Sequence, residues 1–193
     1  LGDVYKRQML FCTHAAETKA EQNDIKTRYD NSVIRHLEKH KLLGETSVLA
    51  HCVHLDDTEI SLLAQSKTNV VLNPMSNLKL GSGIAPVKAM HRAGINLTIG
   101  TDGAISGNDL DMWLAMRLTC GLAKGVNMEA DALTAEHVLH MATISGAKAL
   151  GKSDSLGSLE IGKNADFILV DINNSHSVPP VSYTHLRAHE TEE

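Results

Sequence analysis

Several kinds of residue are scarce in this 193-residue chain, and each scarcity argues against a class of protein. Aromatic residues make up 3% of the sequence, so the core has to be built from aliphatic side chains. The three cysteines, Cys12, Cys52 and Cys120, form no Cys-x-x-Cys pair, which predicts reduced thiols in a cytoplasmic protein. No apolar run reaches the roughly 20 residues of a membrane-spanning helix. The net charge of -5 offers no basic surface for nucleic acid.

What is present describes a globular chain with two atypical ends. Hydrophobic residues make up 42% of the sequence and charged residues 21%, enough for a sizeable core. Residues 1–8 form a polar stretch directly before a strand that looks buried, and residues 181–193 have no apolar periodicity and no element to cap. We therefore interpret them as a non-native leader and a non-native tail and exclude both from the fold prediction.

Between these ends the pattern alternates between strands and helices, which predicts an α/β fold with a parallel sheet. The four predicted strands are 9–14, 47–50, 69–72 and 96–100. Helices are expected at 18–28, 32–40, 58–66, 86–94 and 109–122, and two shorter ones are expected after Thr134 and Thr143. Residues 73–83 read as a long polar loop. Residues 158–171 read as a turn followed by a strand of a different sheet, because no helix comes after them.

Polar residues stand where each of the four predicted strands ends. These residues are His14, His51, Asn73 and Asp102. In a β/α barrel the carboxyl ends of the strands form the rim on which active sites are built. Four strands make only half of such a barrel.

The residue types at these strand ends suit hydrolytic chemistry assisted by a metal. His14 offers a ring nitrogen to a zinc-like ion, and the Asp102 carboxylate could ligate the ion and accept a proton from its bound water. Glu17 is placed to pass a proton to a substrate heteroatom, and His51 could orient the attacking water. Two plainer interpretations stay open at this point: His14 as a buried histidine bonded to backbone, and Asp102 as the cap of a turn.

Longer segments carry a more specific resemblance. They are HAAETKAE (14–21), LAHCVHLDDTEI (49–60), NPMSNLKLGSGIAPV (73–87), GTDGAISGNDLDMWLAMRL (100–118), MATISGAKALG (141–151) and SLEIGKNADFILVD (158–171). Together they resemble the amidohydrolase superfamily, in its TRZ/ATZ branch, and most of all the 5-methylthioadenosine/S-adenosylhomocysteine deaminases. The resemblance implies that residues 9–157 are the C-terminal half of a metal-dependent (β/α)8 barrel. It also implies that residues 158–180 return into a small β-sandwich.

The same resemblance implies a role for each residue of the site. His14 would be a metal ligand, and Glu17 the substrate-binding acid that protonates the purine ring. His51 would steady the attacking water, while Asp102 would ligate the metal, contact the substrate and shuttle protons. The implied reaction is hydrolytic deamination of 5'-methylthioadenosine or S-adenosylhomocysteine to the inosine analogue and ammonia. The implied cofactor is Zn2+ or another divalent ion such as Fe2+, one per subunit of the parent protein, and the partner is a small nucleoside. Homo-oligomerisation is left open.

The chain also departs from the family pattern. The His-x-His pair that supplies two further metal ligands in the family is absent, and Leu72 stands where many relatives carry histidine. Because catalytic zinc normally takes three protein ligands, we expect a C-terminal fragment that is inactive by itself. Two alternatives are kept. One is another amidohydrolase, such as a chlorohydrolase or a guanine or cytosine-type deaminase. The other is a catalytically dead binding module of the same fold.

Overall fold

Four short parallel strands form the centre of the fold in the computed structural model, which describes residues 9–170. They are β1 (Phe11–Ala15), β2 (Ser47–His51), β3 (Asn69–Leu72) and β4 (Leu97–Ile99). Their order in the sheet follows their order in the sequence, and each neighbouring pair is parallel. Parallel neighbours require long crossover connections, and each connection here contains helices. The α/β class and the four predicted strands are therefore confirmed.

Nine helices are found within residues 9–170. They are α1 (Lys19–Tyr29), α2 (Val33–Lys39), α3 (Asp57–Gln65), α4 (Pro74–Lys79), α5 (Val87–Arg92), α6 (Ala104–Gly107), α7 (Met112–Asn127), α8 (Ala135–Ala142) and α9 (Ile144–Ala149). Side-chain caps fix where several of them begin. Asp56 accepts from the backbone N–H of Glu59 while the Glu59 carboxylate accepts from that of Asp56, a complete capping box for α3. Thr134 caps α8 in the same way, with His137 as its partner.

The aliphatic core lies between one face of the sheet and the helices. Leu49, Val70, Leu72 and Leu97 from the strands are buried in the same cluster as Leu63 and other helix residues. Along β1 the exposed residues are Cys12 and His14, whereas Phe11 and Thr13 are partly buried and Ala15 is buried. Since successive side chains of a strand point to opposite faces, Cys12 and His14 lie on the face away from this core.

Two predictions about individual segments were wrong. Residues 73–83 are not all loop, because α4 begins directly after Asn73, with Pro74 in its first turn. Proline suits that position, since the missing N–H would have no helical partner there. The strand predicted after residue 158 is also absent, since 164–170 form no strand in the described part of the chain. The turn before it is present, with the Lys163 backbone N–H donating to the Glu160 carbonyl at 3.1 Å.

Other expectations concern residues outside the described range. The leader at 1–8, the tail at 181–193 and the last part of the predicted return at 171–180 all lie there. The division into a barrel part and a β-sandwich part stays a prediction. Within residues 9–170 no helix combines the length and the apolarity that a membrane crossing demands.

Candidate active site

The polypeptide adopts a left-handed backbone conformation at or after the ends of three of the four strands, β1, β2 and β4. Ala16, just after β1, has φ 52°, and His51, at the end of β2, has φ 75°. Asp102, shortly after β4, has φ 61°. Such angles are uncommon for residues other than glycine, and they cluster where a fold holds side chains for function. Left-handed turns therefore accompany the ends of β1, β2 and β4, whereas Asn73 after β3 has φ -120°.

Three of the predicted site residues meet at the ends of β1 and β2. The rings of His14 and His51 have their centroids 5.1 Å apart, at an interplanar angle of 53°. His51 Nε2 lies 3.8 Å from Glu17 Oε2. His51 is 1% exposed, whereas the Glu17 side chain is 22% exposed, so the carboxylate can reach both the ring and solvent. The expectation that His14 is a buried histidine bonded to backbone does not hold, because His14 is exposed.

The fourth residue, Asp102, is held in its ionised form by its surroundings. Burial of its carboxyl group raises the pKa, but four other influences outweigh this and bring the pKa below its ordinary value. They are the hydroxyl of Ser76, the backbone N–H of Gly103 and the positive charge that His51 and His14 can carry. The buried Ser76 hydroxyl faces this carboxylate without reaching ordinary hydrogen-bond geometry. Because the strands are parallel, Asp102, which follows β4, lies at the same end of the sheet as His14 and His51.

Asp102 also makes the turn-capping contact that its sequence allowed. The Gly103 backbone N–H donates to Asp102 Oδ1 at 2.7 Å. This contact engages one carboxylate oxygen. A role in the turn and a role in the site are therefore compatible in the same side chain.

Sequence reasoning missed two side chains from the 73–83 segment that contact the site. His51 Nδ1 lies 2.8 Å from Asn77 Oδ1. The Ser82 hydroxyl donates to Glu17 Oε1 at 3.1 Å. Asn77 is 3% exposed and Ser82 5%. No local sequence pattern predicts these contacts, because Asn77 is 26 positions from His51 and Ser82 is 65 positions from Glu17.

A third residue that was not singled out, Glu21, fixes the turn that carries Glu17. The Glu21 carboxylate accepts from the backbone N–H of Glu17 at 2.8 Å and from that of Ala16 at 3.3 Å. Thr18, three residues earlier, caps the same first turn of α1 by accepting from the Glu21 N–H at 3.1 Å. The spacing Thr-x-x-Glu is a capping-box signal, so the sequence could have revealed this anchor.

The donor types at this site fit a zinc-like ion, but they are too few. An imidazole from His14 and a carboxylate from Asp102 are both ordinary zinc ligands. No group of three histidine, cysteine, aspartate or glutamate side chains within 9–170 is arranged to hold an ion. A catalytic zinc site takes three protein ligands, so His14 and Asp102 would by themselves be too few to form one.

The chain belongs to the amidohydrolase family, whose model matches residues 3–188. A 5-methylthioadenosine/S-adenosylhomocysteine deaminase of Moorella thermoacetica is 48% identical over 167 residues, which cover 86% of this chain and 39% of the relative. A 5'-deoxyadenosine deaminase of Methanosarcina acetivorans is 45% identical over 166 residues, covering 86% and 38%.

A solved structure supports the same assignment. The crystal structure of an adenosine deaminase from Xanthomonas campestris with bound zinc superposes with a TM-score of 0.92 at 38% identity, covering 96% of this chain and 42% of that one. The chain thus spans well under half the length of the relatives it matches. The four-stranded parallel sheet is accordingly part of an amidohydrolase barrel.

Proposed function

We propose that the enzyme containing this chain hydrolytically deaminates an adenosine-type nucleoside, with 5'-methylthioadenosine or S-adenosylhomocysteine as the preferred substrate class. The observation that carries the proposal is the convergence of His14, His51, Glu17 and Asp102 at one end of a parallel sheet. The names of the relatives support the substrate class, since they are deaminases of adenosine-type nucleosides.

In this proposal the chain contributes two ligands, His14 and Asp102, to a divalent ion, Zn2+ or another such as Fe2+, one per subunit. When bound, such an ion supplies a water whose pKa is lowered to about 7. The remaining ligands have to come from residues other than those described. Loss of either ligand should therefore lower metal affinity as well as activity.

The other proposed roles are proton transfers by the carboxyl groups of Asp102 and Glu17. The Asp102 carboxylate, ionised near neutral pH, accepts a proton from the attacking water. The Glu17 carboxyl group donates a proton to the ring nitrogen next to the carbon under attack, which makes that carbon more electrophilic. The water oxygen bonds to this carbon, and Asp102 passes the proton it accepted to the amino group, which leaves as ammonia. The remaining hydroxyl proton returns to Glu17, so the inosine analogue is released and both carboxyl groups regain their starting forms.

The surroundings of Glu17 suit this role. Ser82 donates to Oε1, and His51 Nε2 lies near Oε2, so both carboxyl oxygens have a partner. The anchoring of the Glu17 backbone by Glu21 limits how far the side chain can drift from the bound ring. The neighbouring groups that would orient the Glu17 carboxyl group therefore all belong to this chain.

The test is release of ammonia from 5'-methylthioadenosine and S-adenosylhomocysteine by the intact enzyme and by its Glu17→Gln and Asp102→Asn variants. General acid–base groups contribute roughly 100- to 10,000-fold, so each variant should lose at least about 100-fold in kcat. Glu45→Gln is the matched control, because Glu45 is exposed and pairs only with Lys67 among the described residues. Its kcat should stay within about 2-fold of the unaltered enzyme, since surface pairs of this kind contribute little.

Two outcomes would contradict the proposal. Turnover of a chlorinated triazine or of guanine with no turnover of the adenosines would favour a different amidohydrolase reaction. Nucleoside binding without any turnover, in an enzyme that retains its metal, would favour a catalytically dead module. The 193-residue chain alone should release no ammonia and should retain no metal on dialysis.

A further inference from the structure

We propose that Asn77 is a positioning residue that holds neutral His51 in the tautomer with its proton on Nδ1, so that Nε2 faces Glu17 as an acceptor. The inference deepens the proposed function and rests on it, because the tautomer of His51 matters for catalysis only if His51 orients the attacking water. The tautomer itself can be observed without metal or substrate.

The first argument is the chemistry of the contact. His51 Nδ1 lies 2.8 Å from Asn77 Oδ1, an ordinary hydrogen-bond length. An amide oxygen can only accept, so the hydrogen bond requires a proton on Nδ1. A neutral imidazole carries one N–H, and Nε2 is therefore left with its lone pair.

The second argument is that neither partner is free to move away. His51 is 1% exposed and Asn77 is 3% exposed, so water does not offer an easy replacement for the bond. The backbone of Asn77 is fixed within α4, where its N–H donates to the Asn73 carbonyl at 3.0 Å. Its carbonyl accepts from the backbone N–H of Ser82 at 2.9 Å. The amide oxygen is consequently held toward the ring by an ordered segment.

The third argument is what the opposite nitrogen faces. Nε2 lies 3.8 Å from Glu17 Oε2, at the end of the sheet that also carries His14 and Asp102. With the lone pair on Nε2, His51 can accept one hydrogen bond, either from the attacking water or from a protonated Glu17. The proposed reaction needs that form of Glu17 as its acid. The other tautomer would place an N–H there and favour the ionised carboxylate instead.

The experiment is long-range 15N–1H correlation NMR of the histidine rings in the 193-residue chain at mildly alkaline pH. The spectrum of His51→Gln identifies the His51 signals by their loss. In the unaltered chain we expect the proton on Nδ1, together with a nuclear Overhauser contact between this proton and the Asn77 side chain. In Asn77→Ala we expect the ratio of the Nδ1–H to the Nε2–H form to fall by a factor on the order of 3 to 10, as loss of one hydrogen bond predicts.

Two further variants separate positioning from general effects on the fold. Asn77→Asp keeps an acceptor oxygen near the ring and should restore the Nδ1–H form. Asn69→Ala is the control for losing a buried asparagine. Asn69 is also 3% exposed and donates to the Glu45 and Ser47 carbonyls away from the site. This control should leave the His51 tautomer unchanged.

The proton on Nε2 in the unaltered chain would overturn the proposal. An unchanged ratio of the Nδ1–H to the Nε2–H form in Asn77→Ala would also overturn it. If Asn77→Ala does not fold, the tautomer and the Overhauser contact in the unaltered chain still decide the matter. Because no substrate or metal is present, failure of this inference is distinct from failure of the proposed deaminase activity.

Discussion

Replacement of Glu21 by alanine should loosen the turn that carries Glu17 without disrupting the sheet. Glu21 lies in the first turn of α1, and its carboxylate accepts hydrogen bonds from the backbone N–H groups of Ala16 and Glu17. Ala16 has a left-handed backbone, which is costly for a residue with a side chain and persists only when its surroundings enforce it. Removal of the carboxylate leaves both N–H groups without this partner.

The size of the effect follows from the two distances. A hydrogen bond to a charged acceptor contributes about 1.5 to 3 kcal/mol when well formed. The bond to Glu17, at 2.8 Å, belongs in this range, whereas the bond to Ala16, at 3.3 Å, is long and weaker. Because the region is only partly buried, water replaces some of the loss, and we expect about 2 kcal/mol for Glu21→Ala. Glu21→Gln keeps an acceptor oxygen but not the charge, and about 1 kcal/mol is expected.

Amide hydrogen exchange measures this loss of stability at individual residues of the turn. A loss of about 2 kcal/mol speeds exchange by roughly 30-fold when exchange proceeds through local opening, so the Ala16 and Glu17 amides of Glu21→Ala should exchange faster by that factor. Amides of β3 should change less. The matched control is Asp24→Ala in the same helix, because Asp24 pairs only with Arg28 on the surface among the described residues.

One result would refute this reasoning. If Glu21→Ala unfolds at a lower urea concentration but the Ala16 and Glu17 amides exchange no faster than those of β3, the carboxylate stabilises α1 alone. The turn would then be held by other contacts. Equal effects of Glu21→Ala and Asp24→Ala would lead to the same conclusion.

Three further predictions concern packing, thiol reactivity and pH. Gly157→Ala should destabilise the fold by about 2 to 4 kcal/mol in urea unfolding, because φ is +92° and the new Cβ would lie 2.7 Å from Ile144 Cα. Of the three cysteines, only the exposed Cys12 should react rapidly with a thiol reagent in the folded chain. Burial has the largest effect in lowering the pKa of His91, and the charge of His137 lowers it further. Folding therefore favours the neutral form of His91. Stability should therefore fall as the pH drops below the ordinary histidine value of about 6.5, and His91→Gln should lose less over the same range.

Each of these predictions has a control and a contrary result. Gly121→Ala lies on the exposed side of α7 with open space around it, and it should be neutral or stabilising by up to about 1 kcal/mol. An equal loss in both glycine variants would contradict the packing argument. Rapid modification of all three thiols without denaturant would show that the buried cysteines are accessible. Identical pH profiles for the unaltered chain and His91→Gln would remove His91 as a cause.

The strands and the residues at their ends were predictable because both depend on local sequence. An apolar run such as 70–72 predicts a buried parallel strand, and a polar residue directly after such a run predicts the end of the strand. The adjacency of His14 and His51 then follows from the parallel order of the sheet. The roles assigned to these residues in catalysis stay predictions.

The contacts that support the site were not predictable in the same way. The bond between His51 and Asn77 depends on how α4 packs at the end of the sheet, and the short polar sequence of α4 predicts a loop and not a helix. Pro74 in its first turn was the signal that could have corrected this. The left-handed backbone of Asp102 could not be foreseen either, since aspartate before glycine is equally common in ordinary turns.

The exposure of His14 on the sheet face opposite the aliphatic core has an electrostatic consequence. In water, two unit charges 4 Å apart interact by about 1 kcal/mol, whereas near a protein surface the same pair interacts by about 4 kcal/mol. Dissolved ions would weaken contacts at this open face still further. Any segment that covers this face would exclude water from it and would therefore strengthen the attraction between opposite charges there.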